Sequence, residues 1–209
     1  MRIGVVLPSV PRREELLLQT RQAYEDSTDI ELRFVCPIDP ALRGIGKAWN
    51  VGVDALEDVD YIHLSADDII PSPGWAEAAV DAADRSVYPS PRLILPDGTL
   101  ESCGTLGGGF YLPEVSDGTP AVSSGLPFFA SGLWELIEPV PEVHYYADDF
   151  VAFMARAAGL RCEVVRAYEF THLDGQIGRT KHVAVSWQYR DLVAQEMGRR
   201  RAVEVAGVA

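Results

Sequence analysis

The strongest constraint on the fold is an alternation of apolar strand patterns with helical patterns along the first third of the chain. Residues 3–7, 30–38 and 61–65 are apolar segments with β-branched or aromatic side chains, which favours strands. Helical patterns at 14–24 and 47–56 separate these segments. Alternating strands and helices predict an α/β domain with a mixed, mainly parallel central sheet and helices on both faces.

Each predicted strand is followed by a turn or by polar residues. Pro8 and Ser9 follow the first strand, Asp39 follows the second, and Asp67 and Asp68 follow the third. In open α/β sheets, ligands bind in the crevice beyond the carboxyl ends of the strands. The sequence therefore predicts one shared ligand site formed by these three strand ends.

The composition favours one domain and disfavours several kinds of protein. A chain of 209 residues, 47% of them hydrophobic, buries one sizeable core. The chain has no apolar run of membrane-spanning length, and the run at 3–7 is too short for a secretory signal, so we expect a cytoplasmic protein. The net charge of −13 disfavours a nucleic-acid partner, because phosphate binding depends on Lys and Arg. Three widely separated cysteines predict reduced thiols.

The second half of the chain has a less regular pattern. Residues 87–127 are rich in Gly, Pro and Ser, and Pro-Asp-Gly at 96–98 predicts a hairpin turn. Later patterns predict a short helix at 128–137, a helix at 150–159, a strand at 162–165 that His172 follows, and a final helix at 182–205. The apolar stripe of the final helix would pack on the domain or on a second copy of the chain, as a homodimer.

The adjacent Asp67 and Asp68 have the chemistry of a divalent-metal site. Carboxylate oxygens suit hard cations such as Mg²⁺ and Mn²⁺, and a diphosphate needs such a cation to neutralise its charge as a leaving group. Adjacent acids also occur in solvated loops, so the pair by itself leaves that ordinary alternative open.

Two segments around this pair carry a family resemblance. Residues 44–52 read Gly-Ile-Gly-Lys-Ala-Trp-Asn-Val-Gly, and residues 60–68 read Asp-Tyr-Ile-His-Leu-Ser-Ala-Asp-Asp. Together they resemble the signature block of family-2 glycosyltransferases: a Gly-rich turn, a helix with Ala-x-Asn-x-Gly, and a strand ending in Asp-x-Asp and a further Asp. Ser65 stands where that motif has its first Asp. The resemblance implies a single GT-A (Rossmann-like) nucleotide-diphospho-sugar transferase domain.

A second block of sequence agrees with this resemblance. Residues 146–150 read Tyr-Ala-Asp-Asp-Phe and lead through Gly159 to His172, which resembles the family's Glu-Asp segment with its helix, Gly, strand and terminal His. The resemblance implies that Asp148 is the catalytic base and Asp149 its neighbour, and a shift of one residue exchanges these roles. From the residues alone, either Asp would instead cap the helix that follows.

The resemblance also implies the ligands. We expect a nucleotide-sugar donor, a UDP-sugar first and GDP- or dTDP-sugars as alternatives, and a hydroxyl acceptor of open class. A divalent metal, Mn²⁺ or Mg²⁺, would be held by Asp67, Asp68 and His172, although a lone histidine after a strand is more often structural. The residues expected at the nucleotide-sugar are Pro8, Ser9, Val10, Asp39, Lys47, Asn50, Ala66, Asp67 and Asp68.

Other side chains have two interpretations each. Residues 174–181, with Arg179 and Lys181, form either a lid over the diphosphate or an ordinary basic loop. Aromatic side chains that would stack on sugar faces, or belong to the core, are Trp75, Trp134, Tyr145 and Tyr146.

The predicted organisation is a GT-A domain at 1–180 and a helical appendage at 181–209. Within the domain, 1–86 form the nucleotide-binding half and 87–180 the acceptor and catalytic half. Two other functions stay open. A nucleotidyltransferase shares the sheet, but it ordinarily has a Gly-rich basic loop where this chain has Pro-Ser-Val-Pro after its first strand. A non-catalytic nucleotide-sugar-binding module is suggested by Ser65 and Ala147 in place of acids.

Overall fold

The structure is a computed structural model that describes residues 1–39, 44–106, 111–143, 145–173 and 190–201. The predicted lid at 174–181 and both ends of the predicted final helix, 182–189 and 202–205, lie outside these residues. None of the helices in this described part has the length and apolar character that a membrane-spanning helix requires.

Strands and helices alternate along the first half of the chain, as the sequence predicts. In the described residues, the elements are β1 (Arg2–Val6), α1 (Glu14–Asp26), β2 (Glu31–Val35), α2 (Ile45–Asp54), β3 (Tyr61–Leu64), β4 (Ile69–Pro71), α3 (Trp75–Asp84), β5 (Val87–Ile94), β6 (Leu100–Ser102), β7 (Phe128–Ala130), α4 (Trp134–Ile137), α5 (Ala147–Ala157) and β8 (Arg161–His172). A further helical segment covers residues 190–201.

Two four-stranded sheets form the centre of the fold. The first has the order β2-β1-β3-β7, in which β1 is parallel to β2 and β3, and β7 is antiparallel to β3. The second has the order β4-β8-β5-β6, in which β5 and β8 are parallel and the two outer strands are antiparallel. The predicted α/β class with a mixed sheet is confirmed, and parallel pairs predominate in the first sheet.

The strand β1 is an unbroken apolar run because both of its faces are buried. Ile3 and Val5 face a core layer that includes α1 and α3, whereas Val6 faces a layer that includes α2 and α5. Helices therefore cover both faces, as predicted. In α2, a Cβ atom at Gly52 would lie 2.2 Å from Val6 Cγ1, so the helix reaches the strand only with glycine at this motif position.

The strand β8 passes from one core layer to the other. Val164 belongs to the layer with α5, and Phe170 belongs to the layer with α1 and α3. In a regular strand these two residues would point to the same face. The pairing with β5 is irregular between Ser90 and Arg92, and this irregularity reverses the face of the strand.

Two predictions about individual elements are wrong. Residues 128–137 were predicted as one helix, but Phe128–Ala130 is a strand because Phe128 and Phe129 are buried in opposite core layers. The strand predicted at 162–165 extends to His172, which is its last residue. The hairpin turn at 96–98 is confirmed between β5 and β6.

A polar network lies inside the aromatic core. His63 is fully buried, with Nε2 2.9 Å from Tyr24 Oη and Nδ1 2.9 Å from Tyr168 Oη. Burial lowers the pKa of His63 to about 3, so the ring is neutral. His63 is thus a packed, hydrogen-bonded residue of the core. The three cysteines are free thiols, as expected.

The helical residues 190–201 pack on the chain's own domain. Val193 is buried in the core layer with α5, and Arg200 donates a hydrogen bond to the Glu138 carbonyl at 2.8 Å. The Arg200 guanidinium also lies 6.0 Å from the centre of the Phe150 ring. This contact matches one of the two packing options for the final helix, and a homodimer stays a prediction.

Candidate functional site

The carboxyl ends of β1 and β3 meet at one edge of the first sheet. Ser9 extends the parallel pairing with a bridge to Ile38, and its hydroxyl donates to Asp67 Oδ2 at 2.5 Å. Ser9 and Asp67 are each 4% exposed. The predicted meeting of these strand ends is therefore present in the structure.

A guanidinium group joins the two carboxylates of the pair. The Nη2 nitrogen of Arg13 lies 3.2 Å from Asp67 Oδ1 and 3.1 Å from Asp68 Oδ2. Arg13 immediately precedes α1, and Thr20 in α1 donates its hydroxyl to the Asp67 carbonyl at 2.6 Å. The middle of α1 and the residue before the helix therefore fix the loop that carries the two acids.

His172 lies beside Asp68 because β8 pairs with β4. Ile69 is opposite His172 in this antiparallel pair, and the Leu173 N–H donates to the Asp68 carbonyl at 2.8 Å. The His172 Nε2 is 3.7 Å from Asp68 Oδ2, and Nδ1 is 2.8 Å from Glu101 Oε2. The structure thus brings His172 to the acidic pair and adds Glu101 behind it.

Burial and charge act in opposite directions on these groups. Burial opposes a charged His172, but the neighbouring carboxylates of Asp68 and Glu101 outweigh this and raise the pKa of His172 to about 9. Burial also opposes ionisation of Asp68, but His172 and Arg13 outweigh it, so the pKa of Asp68 is lowered. For Asp67 burial prevails and the pKa is raised. The pair therefore contacts two positive groups.

The two carboxylates supply oxygen atoms of the kind that divalent cations bind. Asp67 Oδ1 and Asp68 Oδ2 converge on one positively charged nitrogen, and carboxylate oxygens are the ligands that Mg²⁺ and Mn²⁺ prefer. Among the described residues, no group of three or more His, Cys, Asp or Glu side chains is arranged to hold an ion. Mg²⁺ is commonly bound by one or two carboxylates together with substrate phosphates. His172 would join as a ligand only after losing its proton.

Ser9 has three neighbours that were expected at the nucleotide. Two of them, Pro8 and Val10, adjoin it in sequence, and the third, Asp39, lies beside it through the strand pairing. The Asp39 N–H donates to the Ser9 carbonyl at 2.9 Å, and Asp39 Oδ2 accepts the Gly44 N–H at 3.2 Å. Asp39 thus ties the end of β2 to the start of α2. The contact of these residues with a nucleotide stays a prediction.

Lys47 and Asn50 contact the segment between α4 and α5. The Asn50 amide donates to the Val140 carbonyl at 2.8 Å and accepts the Val140 N–H at 2.9 Å. The Lys47 ammonium is 2.6 Å from Glu142 Oε1. The hydrogen bonds of Asn50 give the asparagine of the motif a structural role, because they hold α2 against the segment between α4 and α5. A role of Asn50 or Lys47 at the nucleotide stays a prediction.

Ser65, which replaces an acid of the resembling motif, points into the core. It is fully buried, its Oγ is 2.8 Å from Tyr24 Oη, and its carbonyl accepts the Trp49 indole N–H at 3.2 Å. The neighbouring Ala66 is half-buried against the core layer with α1 and α3. An acid at position 65 would place a charge among aromatic side chains, which explains the departure from the motif.

The second acidic pair lies in the first turn of α5. The helix begins at Ala147, so Asp148 and Asp149 are inside it, and its N-cap position belongs to Tyr146. The alternative that either acid is the cap is therefore wrong. Asp148 Oδ2 accepts the Ser123 hydroxyl at 2.7 Å, and the helix dipole favours negative charge at this end.

Asp149 is half-buried, and one of its carboxylate oxygens is buried and unsatisfied. Its Oδ1 has no hydrogen-bond partner within the described part of the chain. Burial, followed by the charge of Asp148, raises the pKa of Asp149 to about 7. Burial also raises the pKa of Asp148, against the hydrogen bond from Ser123. Both acids of the pair therefore hold a proton more readily than an ordinary aspartate does.

The strand β6 and the residues after it connect the two acidic pairs. Glu101 in β6 contacts His172 at the first pair. Thr105 donates its N–H to the Ser123 carbonyl at 3.2 Å, and Ser123 contacts Asp148 at the second pair. Residues 101–105 thus contact His172 beside the first pair and Ser123 beside the second pair.

Two of the aromatic residues expected at sugar faces are core residues. Trp75 is fully buried, and its indole N–H is hydrogen-bonded inside the core. Trp134 is 7% exposed and stacks on Phe129 with ring centroids 6.3 Å apart. Tyr145 and Tyr146 are half-buried before α5 and stay candidates for sugar stacking.

The sequence interpretation missed three polar residues of the site: Arg13, Glu101 and Ser123. The position of Arg13 just beyond the end of β1 was an available signal. Glu101 and Ser123 come from the irregular region, where no periodic pattern or motif marks them.

The sheets and the flanking helices together define a GT-A-like glycosyltransferase fold. One similar solved structure is "Crystal structure of GalNAc-T7 with UDP, GalNAc and Mn2+", with a TM-score of 0.63 and 13% identity over 88% of this chain and 46% of that chain.

Two structures of S. aureus TarS are also similar. Their TM-scores are 0.55 and 0.56, their identities 12% and 13%, and each alignment covers 83% of this chain. The alignments cover 37% and 61% of the TarS chains, so this chain spans less than two thirds of each similar structure. No protein-family model and no curated protein matches the sequence. The likeness establishes the fold, and membership of family 2 stays a prediction.

Proposed function

We propose that the protein is a glycosyltransferase that moves a sugar from a nucleotide-sugar donor to a hydroxyl acceptor. The observation that carries this proposal is the convergence of Ser9, Arg13, Asp67 and Asp68 beyond the ends of β1 and β3, in a fold shared with glycosyltransferase structures. One of those structures contains UDP, GalNAc and Mn²⁺, so a UDP-sugar is the first donor to test, before GDP- and dTDP-sugars.

The first acidic pair binds the donor diphosphate in this proposal. Asp67 and Asp68 hold Mn²⁺ or Mg²⁺, which when bound neutralises the diphosphate and stabilises it as a leaving group. The main chain around Ser9 and the carboxylate of Asp39 contact the base and ribose, because they lie at the ends of β1 and β2.

The second acidic pair supplies the base. Asp148 takes the proton of the acceptor hydroxyl as the acceptor oxygen bonds to the anomeric carbon. The bond from that carbon to the diphosphate breaks in the same step, and the nucleoside diphosphate leaves with the electron pair. Attack opposite the leaving group inverts the configuration. Ser123 orients the Asp148 carboxylate, and Asp149 lies beside it.

The test is to find a donor and follow the transferred sugar. Nucleotide-sugars are screened for thermal stabilisation of the protein with Mn²⁺ and with EDTA. Each stabilising donor is then incubated with hydroxyl acceptors, and the products are analysed by mass spectrometry and NMR. We expect metal-dependent stabilisation, release of a nucleoside diphosphate and an inverted product.

Each other outcome contradicts a defined part of the proposal. A retained configuration contradicts the role of Asp148 as base. Stabilisation without transfer to any acceptor supports a binding module instead. Release of pyrophosphate from a nucleoside triphosphate supports a nucleotidyltransferase.

A further inference from the structure

Arg13 occupies the point on which the two carboxylates of the first acidic pair converge. A single nitrogen, Nη2, is within 3.2 Å of Asp67 Oδ1 and 3.1 Å of Asp68 Oδ2. Mg²⁺ binds carboxylate oxygens at about 2.0–2.1 Å. A metal held between these two oxygens would need the space that Nη2 fills, so the guanidinium would have to move aside.

The charges explain when this exchange is favourable. The two side chains of the acidic pair are buried, with 6% and 13% exposure, so leaving them without a positive partner costs free energy. A metal that arrives alone must displace Arg13 from both carboxylates and brings no negative group to take their place. A metal that arrives with a diphosphate brings negative oxygens for the guanidinium, whose planar donors match phosphate geometry.

We propose that Arg13 is an exchangeable counter-cation: it neutralises Asp67 and Asp68 in the free protein and moves to the donor diphosphate when metal and nucleotide bind together. Arg13 is suited to this movement because it lies in the loop before α1 and its side chain is 31% exposed. The exchange makes the binding of metal and nucleotide positively cooperative. This inference rests on the proposed glycosyltransferase function.

The first measurement uses Mn²⁺ alone as the probe. Mn²⁺ affinity of the nucleotide-free protein is measured by electron paramagnetic resonance for the wild type, Arg13→Gln, Arg13→Lys and Arg12→Gln. Arg12 is the matched control, because it is the exposed neighbour of Arg13 in the same loop. We expect Arg13→Gln to bind Mn²⁺ about tenfold more tightly than wild type, within the usual range of coupling between sites. Arg13→Lys, which keeps the charge, and Arg12→Gln should remain close to wild type.

The second measurement adds UDP. In the wild type, UDP should tighten Mn²⁺ binding, and in Arg13→Gln this gain should shrink because the exchange no longer takes place. UDP should also bind the Mn²⁺-loaded Arg13→Gln variant more weakly than the loaded wild type. An unchanged or weakened Mn²⁺ affinity in Arg13→Gln, or an undiminished gain from UDP, overturns the inference.

These outcomes are separate from the outcome for the proposed function. If the protein transfers sugar with Mn²⁺ but Arg13→Gln binds Mn²⁺ like the wild type, the function stands and the role of Arg13 fails. If Arg13→Gln tightens Mn²⁺ binding and no donor is ever used, the exchange stands as a cation site without glycosyl transfer. Melting temperatures of all four proteins show whether a change in affinity reflects loss of folding.

Discussion

Asp67–Asp68 and Asp148–Asp149 are two pairs of identical, adjacent acids in different surroundings. Arg13 and His172 contact the first pair, where the pKa of Asp68 is lowered although burial raises that of Asp67. The second pair has a serine hydroxyl as a side-chain partner, leaves one oxygen of Asp149 unsatisfied, and has two raised pKa values. Positively charged side chains thus contact the first pair, whereas burial dominates at both acids of the second.

The largest expected effect separates turnover from binding. Asp148→Asn keeps the size of the side chain and removes its basicity, so turnover should fall by roughly 10² to 10⁴, while donor binding persists. Steady-state transfer assays and UDP titration measure the two quantities. Asp149→Asn is the matched control and should have a smaller effect.

Three results would revise this assignment. An inactive Asp149→Asn beside an active Asp148→Asn would move the base by one residue. Full activity in both variants would remove the base from this pair. A lowered melting temperature of Asp148→Asn without ligand would point to a structural role.

The reciprocal change at the first pair should affect binding. Asp67→Ala removes one of the two converging carboxylates, so UDP affinity should become the same with Mn²⁺ as with EDTA. In the wild type we expect a difference of at least about tenfold, or 1.4 kcal/mol. Calorimetric titration of UDP under both conditions measures it. Equal affinities in the wild type would show that Asp67 does not hold a metal for the nucleotide.

The second pair should also determine part of the pH dependence of stability. In the unfolded chain Asp149 loses its proton near its ordinary pKa of about 3.9, but in the folded protein it keeps the proton up to about 7. Between these values the unfolded state binds fewer protons, so stability falls as the pH rises towards 7. Asp149→Asn removes this contribution, so its melting temperature should decline less than that of the wild type between pH 5.5 and pH 8. The expected difference is about 2–4 °C for each kcal/mol of pH-dependent stability that the substitution removes.

Calorimetry of wild type and Asp149→Asn at both pH values gives this difference. Asp54→Asn, an exposed substitution at the end of α2, is the surface control. Parallel declines in all three proteins would show that Asp149 ionises in the folded state as it does in the unfolded chain.

The smallest effects compare the serine of each pair. Ser123→Ala removes a hydrogen bond worth about 0.5–1.5 kcal/mol from Asp148, and this bond lowers the pKa of that carboxyl. Its loss should raise the pKa of Asp148, so the acid limb of the plot of kcat/KM against pH should move to higher pH by about one unit or less. Ser9→Ala removes the corresponding bond to Asp67 and should weaken UDP binding with Mn²⁺ several-fold without moving the acid limb. A shift of the limb in Ser9→Ala would show that the two pairs are not independent.

The sequence predicted those parts of the fold and site that depend on local patterns. The strands β1, β2 and β3 have apolar runs that end in polar residues, so the edge with Ser9 and Asp67 followed from the order of elements. The acids of α5 were found through a resemblance, although their helix begins earlier than the pattern indicated.

The parts that could not be predicted depend on pairing between distant residues. Glu101 meets His172 only because β6 and β8 belong to one sheet with β5 between them. Ser123 reaches Asp148 from a region without periodicity. Residues 128–130 form a strand because they pair with the free edge of β3. The local sequence carries no information about that distant edge.

The pairing of β4 with β8 has a consequence for the order in which the protein is made. Residues 69–71 can pair only after residues 170–172 have been synthesised, and about a hundred residues lie between the two strands. A nascent chain that has emerged only as far as β4 carries Asp67 and Asp68 without His172 beside them. Translation must therefore pass β8 before the polar residues at this edge of the fold are all present, and a ribosome that stalls earlier leaves a chain with the two acids but without their histidine neighbour.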